Sequence, residues 1–163
     1  MKIIVDGPDG AGKSTLIKKL VKIYKCDVLQ MTEFGSKNVD DYVDKTNLDN
    51  VIWDRSFISE KVYPKYFGRI SKLSDLSFLR LLNSFKSTGG VILIISNAPE
   101  ILKRRLESRG EYDFLIDHIS EINKDYVEIA NLYKLPIISS DMSIKEITTI
   151  IEKESKNGIN SLK

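Results

Sequence analysis

Nine residues near the amino terminus, Gly7-Pro8-Asp9-Gly10-Ala11-Gly12-Lys13-Ser14-Thr15, leave this chain few ways to fold. They satisfy the pattern G-x-x-x-x-G-K-[ST] in full. Lys2-Ile3-Ile4-Val5-Asp6 runs before them, a short β-branched stretch that reads as a buried strand. Leu16, Ile17, Leu20, Val21 and Tyr24 follow, spaced three and four apart as one helix face requires. A strand, a glycine loop and a helix N-terminus aim several backbone N–H groups and the positive end of a helix dipole at one point. That point suits a chain of phosphates. Gly10, Ala11, Gly12, Lys13, Ser14 and Thr15 form the expected cradle, with Lys13 on the β- and γ-phosphates and the Ser14 hydroxyl on Mg²⁺.

The remaining sequence alternates strand and helix patterns. Residues 27–31 read as a second strand, 36–50 as a short surface helix and a loop, and Val51-Ile52-Trp53-Asp54 as a third strand. Pro64 interrupts the helix suggested by Ile58, Val62, Tyr66 and Phe67. Ser74 is a plausible N-cap for a helix carrying Leu76, Leu79, Leu82 and Phe85, which Gly89-Gly90 ends. Val91-Ile92-Leu93-Ile94-Ile95 is apolar throughout, so this fourth strand belongs inside the sheet with both faces covered. Pro99 opens the next helix and Arg109-Gly110-Glu111 breaks it. A long amphipathic helix follows through Leu115, Ile119, Ile122, Tyr126, Ile129 and Tyr133. Residues 136–140 make a fifth strand, and Ser143-Ile144-Lys145-Glu146 has the form of a capping box for the last helix, expected to fray from about Glu154. The expectation is one domain over residues 1–163: a three-layer α/β/α phosphate-loop fold, with a five-stranded parallel sheet and a short lid at about 104–114.

Charge and cysteine content narrow the setting. With 25 basic and 23 acidic side chains the net charge is only +2, which gives no electrostatic case for nucleic acid or a membrane surface. The longest apolar run has five residues and cannot cross a bilayer. Cys26 has no cysteine to pair with, and the N-terminus carries a strand in place of a signal peptide, so a reducing cytoplasmic setting is expected.

Further residues separate the classes that share such a loop. A GTPase is excluded because no D-x-x-G follows the loop and Asn123-Lys124-Asp125-Tyr126 misses N-K-x-D in its last position. Asp54, ending the third strand after three apolar residues, is placed to hold a metal with Ser14. Arg55 beside it can grip an anionic group on an acceptor or hold Asp54 in place; an ordinary ion pair at a strand end is the other reading. Arg105 and Arg109, near Gly110, can swing over a transferring phosphoryl group, whereas Lys103 reads as a solvated helix face.

Three separated motifs, spanning residue 1 to about 152, resemble thymidylate kinases. They are the loop with Asp9 inside it, Asp54-Arg55 for the family's D-R motif, and Arg109-Gly110-Glu111-x-Asp113 for the lid pattern R-G-E-x-D. The resemblance implies transfer of phosphate from ATP, with Mg²⁺, to a deoxynucleoside 5′-monophosphate. It places Asp9 near the sugar 3′-hydroxyl, Arg55 on the acceptor phosphate and the lid arginines over the phosphoryl group, in a homodimer. The sequence departs from the family at Ser56 for the usual Tyr, at Phe114 after the lid aspartate, and at Thr32-Glu33-Phe34, where an R-E-P motif usually stands. The short segment between the second and third strands is similar to small kinases encoded by bacteriophages. Deoxynucleoside kinases offer a second resemblance, in which Glu33 acts as the general base and Asp54-Arg55-Ser56 stands for an E-R-S motif. A module that holds a nucleotide without transferring phosphate is a third reading. On the acceptor side, Glu60, Tyr63 and Tyr66 are candidates for sugar or base contacts and Arg69 for a second phosphate contact. His118, without an acid or serine at triad spacing, reads as a surface residue.

Overall fold

Helices cover both faces of each inner strand, which is why those strands are apolar at nearly every position. The computed structural model describes residues 1–31 and 39–160. In β1 (Lys2–Asp6), Ile3 and Val5 join one apolar cluster and Ile4 joins another, because alternate residues of a strand face opposite ways. The same sorting sends Trp53 of β3 (Val51–Asp54) and Ile92 and Ile94 of β4 (Val91–Ile95) to one side, and Ile52, Leu93 and Ile95 to the other. With β2 (Asp27–Gln30) and β5 (Ile137–Ile138) at the edges, the five strands pair in parallel in the order β2-β3-β1-β4-β5.

The first cluster is closed by α2 (Val39–Thr46), α3 (Phe57–Val62), α4 (Asp75–Ser87) and most of α6 (Asp113–Leu132). The second is closed by α1 (Lys13–Tyr24), α5 (Pro99–Glu107) and α7 (Ile144–Asn160). This is the three-layer parallel architecture expected from the alternation of patterns. No helix among the described residues is long and apolar enough to cross a membrane.

Local signals set most boundaries. The Ser74 hydroxyl accepts from Ser77 N–H at 3.2 Å, and the capping box of α7 is closed by Glu146 N–H to Ser143 Oγ (3.2 Å) and Ser143 N–H to Glu146 Oε2 (2.8 Å). Pro64 follows the end of α3 by two residues. Two boundaries differ from expectation. β5 is cut to two residues because the Asn97 side chain takes the Ser140 amide at 3.1 Å, turning the chain off the sheet. α7 runs on to Asn160, since Glu152, Lys153, Glu154 and Lys156 are good helix formers despite their polarity.

Candidate active site

β1 delivers the phosphate loop to the carboxyl edge of the sheet, where open α/β sheets place their ligands. Gly7 makes the passage possible: a Cβ there would stand 2.3 Å from the Ile95 carbonyl oxygen, and its φ is +146°. Gly12, at φ +104°, caps α1, whose first turn holds no acidic side chain to neutralise its amides. The Lys13 side chain is buried and folds back onto the loop, donating to the Gly7 and Pro8 carbonyls at 2.8 Å each. Burial, with Arg55 next, lowers its pKa to about 8; Asp9, Asp6 and Asp54 oppose the shift. Ser14 and Thr15 are exposed at the start of α1.

A second set of polar groups gathers at the end of β3. Arg55 takes the left-handed backbone conformation (φ 66°), its N–H donates to the Val5 carbonyl at 3.1 Å, and its guanidinium pairs with the Asp9 carboxylate. Its guanidinium carbon also lies 5.0 Å from the Tyr63 ring centroid. Tyr63 O–H donates to Asp9 Oδ2 at 2.8 Å, and Asp9 N–H donates back to that hydroxyl at 3.2 Å. Burial alone pushes the Asp9 carboxyl up, but Arg55, Lys13 and the Tyr63 hydroxyl outweigh it and hold the acid below its usual range. Asp54 goes the other way: burial raises it against the pull of Lys13 and Arg55. Asp9, Lys13, Ser14, Asp54, Arg55 and Arg109 share the walls of a cavity of about 140 Å³.

Arg109 also lines a second cavity of about 270 Å³, bounded by the loop, Arg105, Ser140, Met142 and Ile144. Arg105 is fixed there, donating to the Gly10 carbonyl at 2.9 Å and to Ser140 Oγ at 3.0 Å. It therefore walls the larger cavity in place of swinging over a phosphoryl group as expected, whereas Arg109 is exposed. Arg104 is exposed as well.

Tyr63 and Tyr66 do not present the free rings expected of base-stacking residues. Tyr63 is buried, its ring covered by Arg55 and by Phe67, stacked 6.1 Å away. Tyr66 O–H donates to Asp125 at 2.6 Å and its ring leans on His118, so it faces α6. Glu60 is buried and receives Arg69 Nη1 at 2.8 and 2.9 Å. His118, expected at the surface, is half-buried between Phe114 and Tyr66. Glu33 lies outside the described residues. The strand pattern concealed one further residue, Asp6: it is fully buried and gathers hydrogen bonds from Gly7, Ser56, Ser59 and Tyr126.

A phosphate loop after the central strand, an acid ending the next strand and arginines entering from the α5–α6 junction define a phosphate-loop nucleotide or nucleoside kinase fold. No family model matches the chain. It is similar to the SPbeta prophage-derived uncharacterized protein YorR of Bacillus subtilis (strain 168), at 29% identity over 92% of this chain and 98% of that protein. A crystal structure of YorR in complex with phosphorylated GDP aligns with a TM-score of 0.80 at 27% identity, covering 96% of this chain and 98% of that one. The thymidylate kinase of Nautilia profundicola is 26% identical, over 94% of this chain and 95% of that protein. Deoxyadenosine kinase from M. mycoides with bound dATP shares the fold, with a TM-score of 0.61 at 18% identity over 94% of this chain and 98% of that one. These likenesses support a kinase that works in nucleotide phosphoryl transfer.

Proposed function

We propose that the protein is an ATP- and Mg²⁺-dependent kinase that extends a deoxynucleoside 5′-monophosphate of the dTMP type to the diphosphate. The observation that carries this reading is the meeting of Lys13, Ser14, Asp54, Arg55 and Arg109 in one cavity at the loop. An acceptor phosphate oxygen attacks the γ-phosphorus of ATP; the bond from that phosphorus to the β–γ bridging oxygen breaks, and ADP leaves with the electron pair. The chain's share is positioning and charge. Lys13 turns from the Gly7 and Pro8 carbonyls to the donor phosphates, Arg109 faces the equatorial oxygens, and Arg55 with Asp9 places the acceptor. Arg105 and the apolar wall of the larger cavity take the donor nucleoside.

Ser14 and Asp54 would hold Mg²⁺ through hard oxygen donors, which fit that ion. When bound it would supply positive charge beside the transferring phosphates. Arg69 spends one nitrogen on Glu60 and is partly exposed, so its remaining N–H groups are a second hold for the acceptor phosphate. Glu33 is assigned to the acceptor side, and the protein to a homodimer, through the family resemblance; the lone Cys26 suits a reducing, cytoplasmic setting.

One observation favours a second reading. Both acceptor-side arginines already have carboxylate partners, Arg55 with Asp9 and Arg69 with Glu60, which suits an uncharged nucleoside hydroxyl as acceptor. The test is to incubate the protein with ATP·Mg²⁺ and a panel of deoxynucleosides and their monophosphates, guanine nucleotides included because the YorR complex holds phosphorylated GDP. ADP and a deoxynucleoside diphosphate are expected, dTMP serving best. Lys13→Ala should cost on the order of 10²-fold or more in kcat with the fold kept. Turnover with nucleosides alone, together with a severe loss in Glu33→Gln, establishes the second reading; no product from any acceptor defeats both.

A further inference from the structure

Asp6 is fully buried at the end of β1, and five neutral donors among the described residues surround its carboxylate. One oxygen accepts from Gly7 N–H (2.8 Å), Ser59 O–H (2.7 Å) and Tyr126 O–H (2.9 Å). The other accepts from Ser56 O–H (2.7 Å) and Ser59 N–H (3.3 Å). A carboxylate inside a protein is tolerated when donors replace its water, and each donor is fixed in turn. These donors belong to three segments. Gly7 opens the phosphate loop, and its carbonyl holds Lys13. Ser56 follows Arg55 directly and caps α3 by accepting from Ile58 N–H at 3.1 Å. Tyr126 stands on α6, the helix that follows the lid, and touches Ser59 as well at 2.9 Å.

We propose that Asp6 is a positioning residue for phosphoryl transfer, locking the phosphate loop, the turn that aims Arg55 and the helix behind the lid into one frame. The inference rests on the kinase reading above. Lys13 and Arg55 approach the two substrates from different strands, and their separation must hold to a fraction of an ångström for in-line transfer. Asp6 bonds to the backbone beside one and the side chain beside the other. An amide of the same size would offer one accepting oxygen in place of two, leaving the donors on one side without an acceptor.

The test compares Asp6→Asn, which keeps the size and removes the charge, with Tyr126→Phe, which removes one donor and keeps the charge. For Asp6→Asn we expect kcat to fall on the order of 10²-fold, as for a misplaced reacting group. Its acceptor KM should rise while ATP·Mg²⁺ affinity is nearly kept, a split that a merely loosened fold would not give. Tyr126→Phe should move the same two parameters in the same direction but less. Wild-type kcat and acceptor KM in Asp6→Asn overturn the proposal. If Asp6→Asn does not fold, Tyr126→Phe decides, and wild-type kcat/KM for the acceptor there overturns it. A wild-type protein inactive on every acceptor defeats the kinase reading, whereas an active wild type with unaltered variants defeats this inference alone.

Discussion

Lys13 carries the clearest pH signature in the molecule. Burial and the Arg55 charge disfavour its ammonium form and bring its pKa from 10.5 to about 8, against Asp9, Asp6 and Asp54. A base whose folded pKa lies below its unfolded value destabilises the fold while it is charged. For the free protein that penalty is complete below about pH 8 and fades as pH rises toward 10.5. A polyphosphate reverses the balance by setting several negative charges around the ammonium. Nucleotide binding at about pH 8.5 should therefore take up protons onto Lys13. Calorimetry of ATP·Mg²⁺ binding in buffers of different ionisation enthalpy should show uptake there and almost none at pH 6.5; heats independent of the buffer contradict the pKa. That Lys13, Ser14, Asp54 and Arg55 meet in one cavity was legible, because each sits in a contiguous motif whose spacing carries its chemistry. The place of Asp6 was not, and Tyr63 was legible only as a candidate for a different contact. An acid ending a strand looks like any solvated terminus until its donors fold in, and those include Tyr126, 120 positions along the chain. Tyr63 reads as an aromatic ring for a base, whereas its hydroxyl, bound to Asp9, is the part that reaches the site.

At the scale of elements, the span between α5 and α6 is anchored at both ends. α5 is held to the loop through Arg105, and α6 is held to the segment after α3 through Phe114, whose ring lies 5.6 Å from that of Phe67. Residues 108–112 lie between these anchors, with Gly110 at φ 68° and Tyr112 83% exposed. Arg109 belongs to this span and reaches both cavities, so a short excursion is enough to carry its charge from one to the other. Phe114→Ala removes one anchor without touching a charge. Amide exchange across residues 108–116 should quicken, and the melting temperature should fall by no more than about 2–4 °C, since the ring is already 40% exposed. Unchanged exchange there means that the aromatic contact does not restrain the lid. The sequence showed that a helix breaks at Gly110 but not what fastens each side, because the Phe67–Phe114 contact joins residues 47 positions apart. The shortened β5 has a similar cause: Asn97 captures the Ser140 amide from across the sheet edge, and strand propensity contains no sign of it.

The whole molecule is two apolar clusters separated by one sheet, and the two proposed substrates divide along the same line. The larger cavity is walled by Leu16, Ile138, Ile144 and Ile147, which belong to or pack on the cluster under α1, α5 and α7. Tyr63 and the α3 and α4 side chains behind the acceptor residues belong to the other cluster. The phosphate loop leaves the sheet between them, so a donor nucleotide that spans both cavities ties α7 and α5 to the end of β3. Ligand that binds the folded state alone, at a hundred times its Kd, stabilises it by about 2.7 kcal/mol. In a domain of this size that corresponds to a melting temperature roughly 5–10 °C higher. ATP·Mg²⁺ should produce a shift of that order in thermal denaturation. Lys13→Ala should lose most of it, because the loop amides alone would then hold the phosphates. AMP, whose single phosphate does not span from the larger cavity to Lys13, should give a much smaller shift. Equal shifts from AMP and ATP place the nucleotide in the larger cavity without its phosphates on the loop, and with that result the division of the two substrates between the clusters fails.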